Sequence, residues 1–312
     1  MNCLGSRYRA AVAAVRDQLA GTCQVIDFDD AAPLAAQLRE VGVMLLGSAR
    51  VTAEVLDAAP RLQLIHQHGS GTDGVDLRAA TERGVIVANV PAGNSSAVAE
   101  HALALAFYMA KRLYATPASI AGRVLGGPAG IELGGKTLAI IGLGASGAEL
   151  ARRAAALGMR VVAIRARVGE GAPGSGLSFV GGPDDLPRVL READLVSLHL
   201  PLNDRTRHVI GGAQLALMKR SAYLINVARG ALVDYDALVS ALRDRTIAGA
   251  AFDVGWSEPA DPADPILALD NFVLTPHVAG FSDVSIHAVA SSIAANVRRL
   301  QRGEPLVNVV NR

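Results

Sequence analysis

The stretch from Thr137 to Arg167 constrains the fold of this chain more than any other part of the sequence. An apolar run, Leu138 to Ile141, leads into the motif Gly142-x-Gly144-x-x-Gly147, a helical pattern and a second apolar run from Val161 to Ile164. This order predicts a strand, a glycine turn, a helix and a second strand, the parts of a βαβ unit.

The spacing of the three glycines suits a dinucleotide site. Gly142 permits a tight turn, Gly144 lets the backbone approach a pyrophosphate, and Gly147 lets helix and strand pack closely. N–H groups at the start of the helix, near Ala145 and Ser146, would then face the phosphates. The alternative is a purely structural glycine turn in an α/β sheet, but the strands on both sides favour dinucleotide binding.

The rest of the chain alternates apolar runs with helical patterns, which is typical of doubly wound parallel sheets. A chain of 312 residues is long for one core, so we expect two domains. We predict a Rossmann dinucleotide-binding domain over 94–283 and a flavodoxin-like substrate domain over 1–93, completed by 284–312. The opening residues MNCLG barely supply a first strand, so that strand is either very short or incomplete, and a glycine-rich connection follows Arg167.

Charge and cysteine content exclude several classes of partner and location. A net charge of +1 with interspersed signs indicates neither a nucleic-acid groove nor a membrane surface. The apolar helix predicted at 97–113 includes Glu100 and His101, and its alanine-rich part is too short to cross a bilayer. Cys3 and Cys23 have no paired spacing, and no signal peptide is visible, so we expect a cytoplasmic protein without a disulfide framework.

A second phosphate-binding motif is misleading. Residues 130–137 fit the pattern G-x-x-x-x-G-K-[ST] letter for letter. A phosphate loop must follow a strand and open a helix, whereas Lys136 and Thr137 open a predicted strand and no strand leads in. We therefore do not expect nucleotide hydrolysis.

Three polar residues follow predicted strands, at the sheet edge where ligands bind in open α/β folds: Arg229, Glu258 and His277. A histidine can carry a proton near neutral pH, and a carboxylate beside it would orient the ring and favour the imidazolium. An arginine offers a planar fork for a substrate carboxylate. Each alone could be a surface pair or a capping residue. Together with a nicotinamide they would reduce a 2-oxo acid.

Seven stretches of the chain, in order, resemble the D-isomer-specific 2-hydroxyacid dehydrogenases, a group that includes glyoxylate/hydroxypyruvate reductases and D-3-phosphoglycerate dehydrogenases. They are HGSGTDGVDL (68–77), NSSAVAEHALAL (94–105), IIGLGASG (140–147), ADLVSLHLPLNDRT (193–206), LINVARGALVD (224–234), GAAFDVGWSEP (249–259) and LDNFVLTPHVAG (269–280).

The resemblance implies roles for individual residues. The family's catalytic arginine, glutamate and histidine fall on Arg229, Glu258 and His277, and its nicotinamide-carboxamide aspartate falls on Asp253. Its substrate-anion loop falls on Gly69-Ser70-Gly71, where backbone N–H groups could bind a carboxylate together with Arg229. The other residues expected to line the cofactor are Leu200, Pro201, Thr206, Val227, Ala228 and Gly280. The family and the apolar helix at 97–113 also favour a homodimer.

One departure from the family's pattern concerns the cofactor. Where many members have an aspartate that binds the adenosine ribose, this chain has Arg165, with Arg167 two residues further on. A guanidinium would pair with a 2′-phosphate, which predicts NADP(H) over NAD(H). Arginine is common in this chain, since Lys111, Lys136 and Lys219 are the only lysines among 30 basic residues. An arginine at position 165 is therefore a weaker indicator of the cofactor than it would be in another chain.

Other departures concern the substrate site. The tryptophan usual before the glycine motif is absent from 115–136, so that part of the site or a dimer contact could differ.

His66 and His68 could bind zinc, but no third ligand has suitable spacing. We therefore expect no metal, and we expect His68 to contact the substrate loop. Trp256 is either a core residue or, as we favour, a pocket wall, and His101 is expected to be buried and paired.

The sequence thus predicts an enzyme that reduces small 2-oxo acids such as glyoxylate or hydroxypyruvate to D-2-hydroxy acids, with substrate bound in the cleft between the domains. One alternative is a dehydrogenase of another small anion, such as phosphite. Another is a dinucleotide-sensing binding protein without catalysis, which the complete set of Arg229, Glu258 and His277 disfavours. The particular oxo acid is not determined by the sequence.

Overall fold

The computed structural model describes residues 1–167 and 176–311, and most of the predicted glycine-rich connection after Arg167 lies outside them. The chain forms two compact units. Unit 1 comprises Met1–Asn94 and Phe281–Arg312, and unit 2 comprises Ser95–Gly280. The sequence analysis drew these limits at 93 and 284 and assigned a role to each unit, and those roles stay predictions.

Unit 1 is built on a parallel five-stranded sheet with the order β2-β1-β3-β4-β5. This is the order of the flavodoxin-like doubly wound fold, as predicted. The first strand is short, with only three residues. The strands are β1 (Asn2–Leu4), β2 (Gln24–Ile26), β3 (Val43–Leu46), β4 (Leu64–Gln67) and β5 (Ile86–Ala88). Its first helices are α1 (Arg9–Gln18), α2 (Leu34–Gln37), α3 (Ala53–Asp57) and α4 (Leu77–Glu82).

Unit 2 contains a parallel sheet of seven strands with the order β12-β11-β10-β9-β6-β7-β8. Numbered within the unit, this is the Rossmann order 3-2-1-4-5-6 with one more strand, so the predicted fold class is confirmed. The strands are β6 (Thr137–Ile141), β7 (Arg160–Ile164), β8 (Leu177–Gly181), β9 (Leu195–Leu198), β10 (Tyr223–Asn226), β11 (Gly249–Phe252) and β12 (Phe272–Leu274). The helices are α5 (Ser95–Ala110), α6 (Thr116–Ala121), α7 (Ala145–Ala156), α8 (Leu186–Glu192), α9 (Gly212–Leu217) and α10 (Tyr235–Arg243). The last helix of the chain, α11 (Asp283–Arg302), belongs to unit 1.

The central strands of both sheets are continuous apolar runs because helices cover both faces of a parallel sheet. All residues of β6, β9, β10 and β11 are buried. The strand order of unit 2 reverses between β6 and β9, and in open α/β sheets a ligand binds at the carboxyl ends of the strands at such a reversal. The sheet therefore defines where a site can form in this unit.

The misleading motif at 130–137 has the context that was expected. No strand occurs in residues 122–136, all of which are described, and Thr137 begins β6. The motif therefore lacks both the strand that should precede a phosphate loop and the helix that should follow it. Among the described residues no helix is both long and apolar enough to cross a membrane.

The two cysteines lie closer together than their spacing in the sequence suggested. β1 pairs with β2 so that Cys3 lies opposite Val25. Cys23 directly precedes β2 and therefore lies close to Cys3. Both thiols are free, and their Sγ atoms are 2.9 Å apart. Burial raises the pKa of the Cys3 thiol well above its ordinary value, so this thiol is protonated at neutral pH.

Candidate active site

The glycine turn after β6 has a backbone that only glycine fits. Gly142 has a φ of 106°, and a Cβ there would lie 2.6 Å from the carbonyl carbon and oxygen of His199. A Cβ at Gly147 would lie 2.3 Å from the carbonyl oxygen of Gly142. Gly142 thus packs on the strand end beside it, and Gly147 lets α7 approach the turn, as the spacing predicts.

The middle glycine has different surroundings. A Cβ at Gly144 would meet nothing within 4 Å, and both Gly144 and Ala145 are exposed. Gly144 is the N-cap of α7, and among the described residues no side chain caps this helix. The open side of Gly144 and the first N–H groups of α7 fit the approach of a pyrophosphate.

Ser146, in the first turn of α7, has its side chain bonded to the neighbouring strand end. Its Oγ lies 3.0 Å from Nδ1 of His199, whose Nε2 lies 2.9 Å from Oγ of Ser197. Desolvation lowers the pKa of His199 to about 4, so the ring is neutral near pH 7.

The predicted cofactor residues lie at the carboxyl ends of strands that adjoin β6. Gly142 donates its N–H to Ile164, the last residue of β7, and Arg165 follows directly and donates its own N–H to Gly181. Arg165 is partly exposed and Arg167 is exposed. The strand order puts β9 next to β6 on the other side, followed by β10. Residues Leu200, Pro201 and Thr206 come after β9, and Val227 and Ala228 come after β10.

The loop after β9 is braced by Thr206. Its Oγ1 donates to the carbonyl oxygen of Pro201 at 2.7 Å and accepts the N–H of Asn203 at 2.9 Å. The side chain of Thr206 therefore contributes to the shape of this loop, a role that the sequence did not indicate.

Arg229 lies after β10 on a backbone held by Asn226. Nδ2 of Asn226 donates to the carbonyl oxygen of Arg229 at 2.8 Å, and its Oδ1 accepts the N–H of Ala228 at 3.0 Å. A Cβ at Gly230 would lie 2.3 Å from the carbonyl oxygen of Gly255, so this glycine lets the loops after β10 and β11 touch. Asn226 and Gly230 were not singled out from the sequence, although both lie in the LINVARG motif.

Glu258 and His277 form a pair, as their positions at neighbouring strand ends suggested. Nδ1 of His277 lies 2.8 Å from Oε2 of Glu258, and the two side chains are 29% and 24% exposed. The carboxylate accepts the Nδ1–H, which fixes both the tautomer and the orientation of the ring. A partly exposed histidine held by a carboxylate is suited to proton transfer.

Asp253, at the end of β11, is 1% exposed and binds the loop that carries His277. Its Oδ1 accepts the hydroxyl of Thr275 and the N–H of Val278, and its Oδ2 accepts the N–H of Ala279. Its predicted contact with a nicotinamide carboxamide stays a prediction, as does the cofactor contact of Gly280, the residue after Ala279. The contribution of Thr275 was missed because a threonine before a proline carries no sequence signal of its own.

Trp256 has the surroundings of a core residue rather than the pocket wall that we favoured from the sequence. Its ring stacks on Phe252 with centroids 5.4 Å apart and meets Tyr235 edge-on at 5.0 Å. Its indole Nε1–H donates to the carbonyl oxygen of Val233 at 2.8 Å. The polar end of the side chain is therefore satisfied within unit 2, as a packed indole requires.

In unit 1, the predicted substrate loop Gly69-Ser70-Gly71 follows β4. Two of its carbonyl oxygens already accept hydrogen bonds. That of Gly69 accepts from the N–H of Val90 at 3.0 Å, and that of Ser70 accepts from Nδ2 of Asn89 at 2.7 Å. These bonds use carbonyl oxygens, which is consistent with a loop whose N–H groups serve an anion.

The two histidines before this loop are engaged in other contacts. Nδ1 of His66 lies 3.1 Å from the carbonyl oxygen of Gln67, and its Nε2 lies 3.0 Å from Nδ2 of Asn296. Nε2 of His68 lies 3.0 Å from Oγ of Ser6. Burial lowers the pKa of both rings to about 4. Within the described residues no group of three potential ligand side chains could hold a metal ion.

Comparisons with known proteins identify relatives of this chain. The sequence profile described as "D-isomer specific 2-hydroxyacid dehydrogenase, NAD binding domain" matches residues 103–279. The chain is 39% identical over 270 residues to a glyoxylate reductase of Korarchaeum cryptofilum, covering 84% of this chain and 80% of that protein. It is 38% identical over 283 residues to a D-3-phosphoglycerate dehydrogenase of Methanocaldococcus jannaschii, covering 89% of this chain.

The chain spans about half the length of that phosphoglycerate dehydrogenase, of which the match covers 53%. Among solved structures, a D-lactate dehydrogenase of Aquifex aeolicus complexed with NAD and lactic acid is similar, with a TM-score of 0.88 and 27% identity over 100% of this chain and 99% of that one. Since the family profile matches more than half of the sequence, the chain belongs to the D-isomer specific 2-hydroxyacid dehydrogenase family.

Proposed function

We propose that this protein reduces small 2-oxo acids, such as glyoxylate or hydroxypyruvate, to D-2-hydroxy acids with NADPH. The observation that carries the proposal is the 2.8 Å bond between Nδ1 of His277 and Oε2 of Glu258, in the unit that contains the glycine turn. An oriented imidazole is the group that this reduction needs, because the reduced oxygen must receive a proton.

The chain's own residues divide the work. Because the bond to Glu258 uses Nδ1, we assign proton transfer to Nε2 of His277, and Glu258 stabilises the imidazolium before transfer. Arg229 pairs with the substrate carboxylate and polarises the adjacent oxo group. When bound, the reduced nicotinamide supplies the hydride. The complete set of three residues disfavours a binding protein without catalysis.

We further propose that the backbone N–H groups of Gly69-Ser70-Gly71 bind the substrate carboxylate. The carbonyl groups of Gly69 and Ser70 are already used by Val90 and Asn89, which supports a loop that presents N–H groups instead. A loop of this kind recognises an anion without adding a charged side chain.

NADPH is the proposed cofactor because of Arg165. This residue follows the last residue of β7, whose carbonyl oxygen accepts the N–H of Gly142, so it lies beside the glycine turn. A guanidinium there would pair with a 2′-phosphate, and Arg167 would add a second positive charge. We assign the remaining contacts with the cofactor to the loops after β9, β10, β11 and β12, including Asp253 after β11 and Gly280 after β12.

A turnover screen tests the proposal. Glyoxylate, hydroxypyruvate, pyruvate and a phosphorylated 2-oxo acid are each offered with NADPH, and NADPH consumption is measured at 340 nm. We expect turnover of glyoxylate, hydroxypyruvate and pyruvate, which carry no charge besides the carboxylate. Turnover of the phosphorylated acid alone, or oxidation of phosphite without reduction of any oxo acid, would contradict the proposed substrate class.

We also propose a homodimer. The segment after α5 exposes large apolar side chains: Ile120 is 77% exposed, Val124 60% and Leu125 101%. Exposed apolar side chains that cluster in one segment are typical of an interface between chains. A cytoplasmic location is proposed as well, because two cysteines in the whole chain do not indicate a disulfide framework.

A further inference from the structure

Asp253 accepts several of the hydrogen bonds that hold the loop carrying His277. The N–H of His277 donates to the carbonyl oxygen of Asp253 at 2.8 Å. The next two N–H groups, of Val278 and Ala279, donate to Oδ1 and Oδ2 of the same residue at 2.9 and 2.8 Å. Asp253 thus accepts hydrogen bonds from three consecutive backbone N–H groups. Residues 277–279 cannot shift without breaking at least one of these bonds.

The backbone of His277 needs such support. Its φ is 56°, in the left-handed region that a residue with a Cβ rarely adopts. A residue persists there only when its surroundings hold it. The bonds from His277, Val278 and Ala279 to Asp253 provide that hold, so the direction of the imidazole depends on the carboxylate of Asp253.

A chain of side-chain bonds extends from Asp253 to helix α5. Oγ1 of Thr275 donates to Oδ1 of Asp253 at 2.5 Å, and Nε2 of His101 lies 2.9 Å from the same Oγ1. Because the hydroxyl hydrogen of Thr275 is used by the carboxylate, Oγ1 accepts from His101, which places a hydrogen on Nε2 of that ring. The bonds therefore run in one direction, from His101 through Thr275 to Asp253.

These hydrogen-bond donors stabilise the negative charge of the Asp253 carboxylate. Its side chain is 1% exposed, and a buried carboxylate persists only when hydrogen-bond donors or positive charge compensate it. Nε2 of His101 also lies 3.5 Å from Oδ1 of Asp253, and its side chain is 21% exposed. His101 is therefore the partner that links the buried carboxylate to a fixed helix.

We propose that Asp253, Thr275 and His101 are positioning residues for His277, acting through the loop at 275–279. This inference deepens the proposed function and rests on His277 being the proton donor. The three residues hold the loop in the conformation that directs the imidazole. The effect of Thr275 and His101 on turnover passes through His277, whereas Asp253 also has the cofactor contact proposed above.

The sharpest test uses Thr275, because Thr275→Val keeps the side-chain shape and removes only the hydroxyl. We expect kcat to fall by about 10- to 100-fold, since small misplacements of a catalytic group cost rates of that order. The Kd for NADPH, measured by fluorescence titration, should stay unchanged. Hydrogen exchange of the amides at 277–279 should accelerate. Thr275→Ser should restore both properties, and His101→Phe should resemble Thr275→Val.

A double variant separates positioning from cofactor binding. In a His277→Asn background, Thr275→Val should lower kcat no further. A further loss there, or a weaker Kd for NADPH, would overturn the inference in favour of a direct cofactor role. Thr81→Val, which removes an exposed hydroxyl in unit 1 that bonds Leu77 and Asn311, is the matched control and should leave kcat and the exchange at 277–279 unchanged.

Hydrogen exchange keeps the test independent of the substrate. If the unmodified protein reduced no 2-oxo acid, the proposed function would fail, whereas the hold on the loop would still be decided by the amides at 277–279. Unchanged exchange in Thr275→Val would overturn the inference. Faster exchange with unchanged kcat in an active enzyme would overturn it equally.

Discussion

Nδ1 of His277 is bonded to Oε2 of Glu258 at 2.8 Å, while the backbone of His277 has a φ of 56°. Two constraints thus act on His277. The carboxylate of Glu258 sets the rotation of the imidazole ring, and the backbone of the loop sets the position and direction of the Cα–Cβ bond. Glu258 and Asp253 therefore affect the same imidazole by separate routes, one through the side chain and one through the backbone.

The first prediction concerns this pair. His277→Asn should lower kcat by about 100- to 10,000-fold, the usual contribution of a general acid, and leave the Kd for NADPH unchanged. Glu258→Gln should lower kcat by a smaller factor, because the ring remains but its imidazolium loses the carboxylate. Steady-state kinetics with the best substrate of the screen measures both. Unchanged turnover in His277→Asn would show that another group supplies the proton.

The second prediction concerns the cofactor. Arg165→Asp should lower kcat/KM for NADPH and raise it for NADH, because the new carboxylate repels a 2′-phosphate and can accept a ribose hydroxyl. A charge-assisted bond contributes about 1.5–3 kcal/mol, so the ratio should change by at least about tenfold. Arg220→Asp, at an exposed position of the same unit, makes the same charge change as a control. A clear preference of the unmodified protein for NADH would refute the assignment.

The third prediction concerns assembly. Light scattering after gel filtration should give about twice the chain mass of 32.2 kDa for the unmodified protein. Ile120→Glu combined with Leu125→Asp should shift the mass to that of a single chain, because charges would be buried in an apolar contact. Val284→Asp is the control, since Val284 is 73% exposed but lies in unit 1. A single-chain mass before mutation would rule out the proposed dimer.

The sequence predicted the fold class well because the glycine turn and the parallel strands depend on local pattern. Gly142, Gly144 and Gly147 indicated their turn through spacing alone, and the apolar runs indicated parallel strands. Arg229, Glu258 and His277 were proposed as the reacting residues because each lies in the loop that follows a strand. Such signals need only a few neighbouring residues.

The support around His277 could not be predicted in this way. The bond between His101 and Thr275 joins residues 174 positions apart, and the bond between Thr275 and Asp253 joins residues 22 apart. The positive φ of His277 follows from those distant bonds rather than from the residue type. The closeness of Cys3 and Cys23 likewise depends on strand pairing, and the core position of Trp256 depends on Phe252 and Tyr235.

The fourth prediction concerns stability against pH. His66 is fully buried, and its pKa falls from 6.5 to about 4 because desolvation disfavours the charged ring. Since Nδ2 of Asn296 can only donate, Nε2 of His66 accepts, and a proton there would face another donor. The unfolded chain therefore binds more protons than the folded chain between pH 6.5 and 4.

The free energy of unfolding should thus decrease as the pH falls through this window, by up to about 3 kcal/mol for His66. Urea unfolding at a series of pH values measures it, and His66→Gln should reduce the dependence by the share of His66, since His68 and His199 have similarly lowered pKa values of about 4 and remain. His287→Gln, at an exposed position of the same unit, should leave the dependence unchanged. Equal slopes in the unmodified protein and His66→Gln would show that other groups cause the loss.

The only tryptophan of the chain and its only two cysteines lie in different units. Trp256 is packed on Phe252 and Tyr235 in unit 2, so its fluorescence changes when that unit unfolds. Cys3 is buried in unit 1 and Cys23 is partly exposed, so the reaction of the second thiol, that of Cys3, with a thiol reagent follows the opening of that unit. The unmodified chain therefore carries one intrinsic reporter for each half, and comparing the two signals in one denaturant series measures directly whether the halves lose structure together or in sequence.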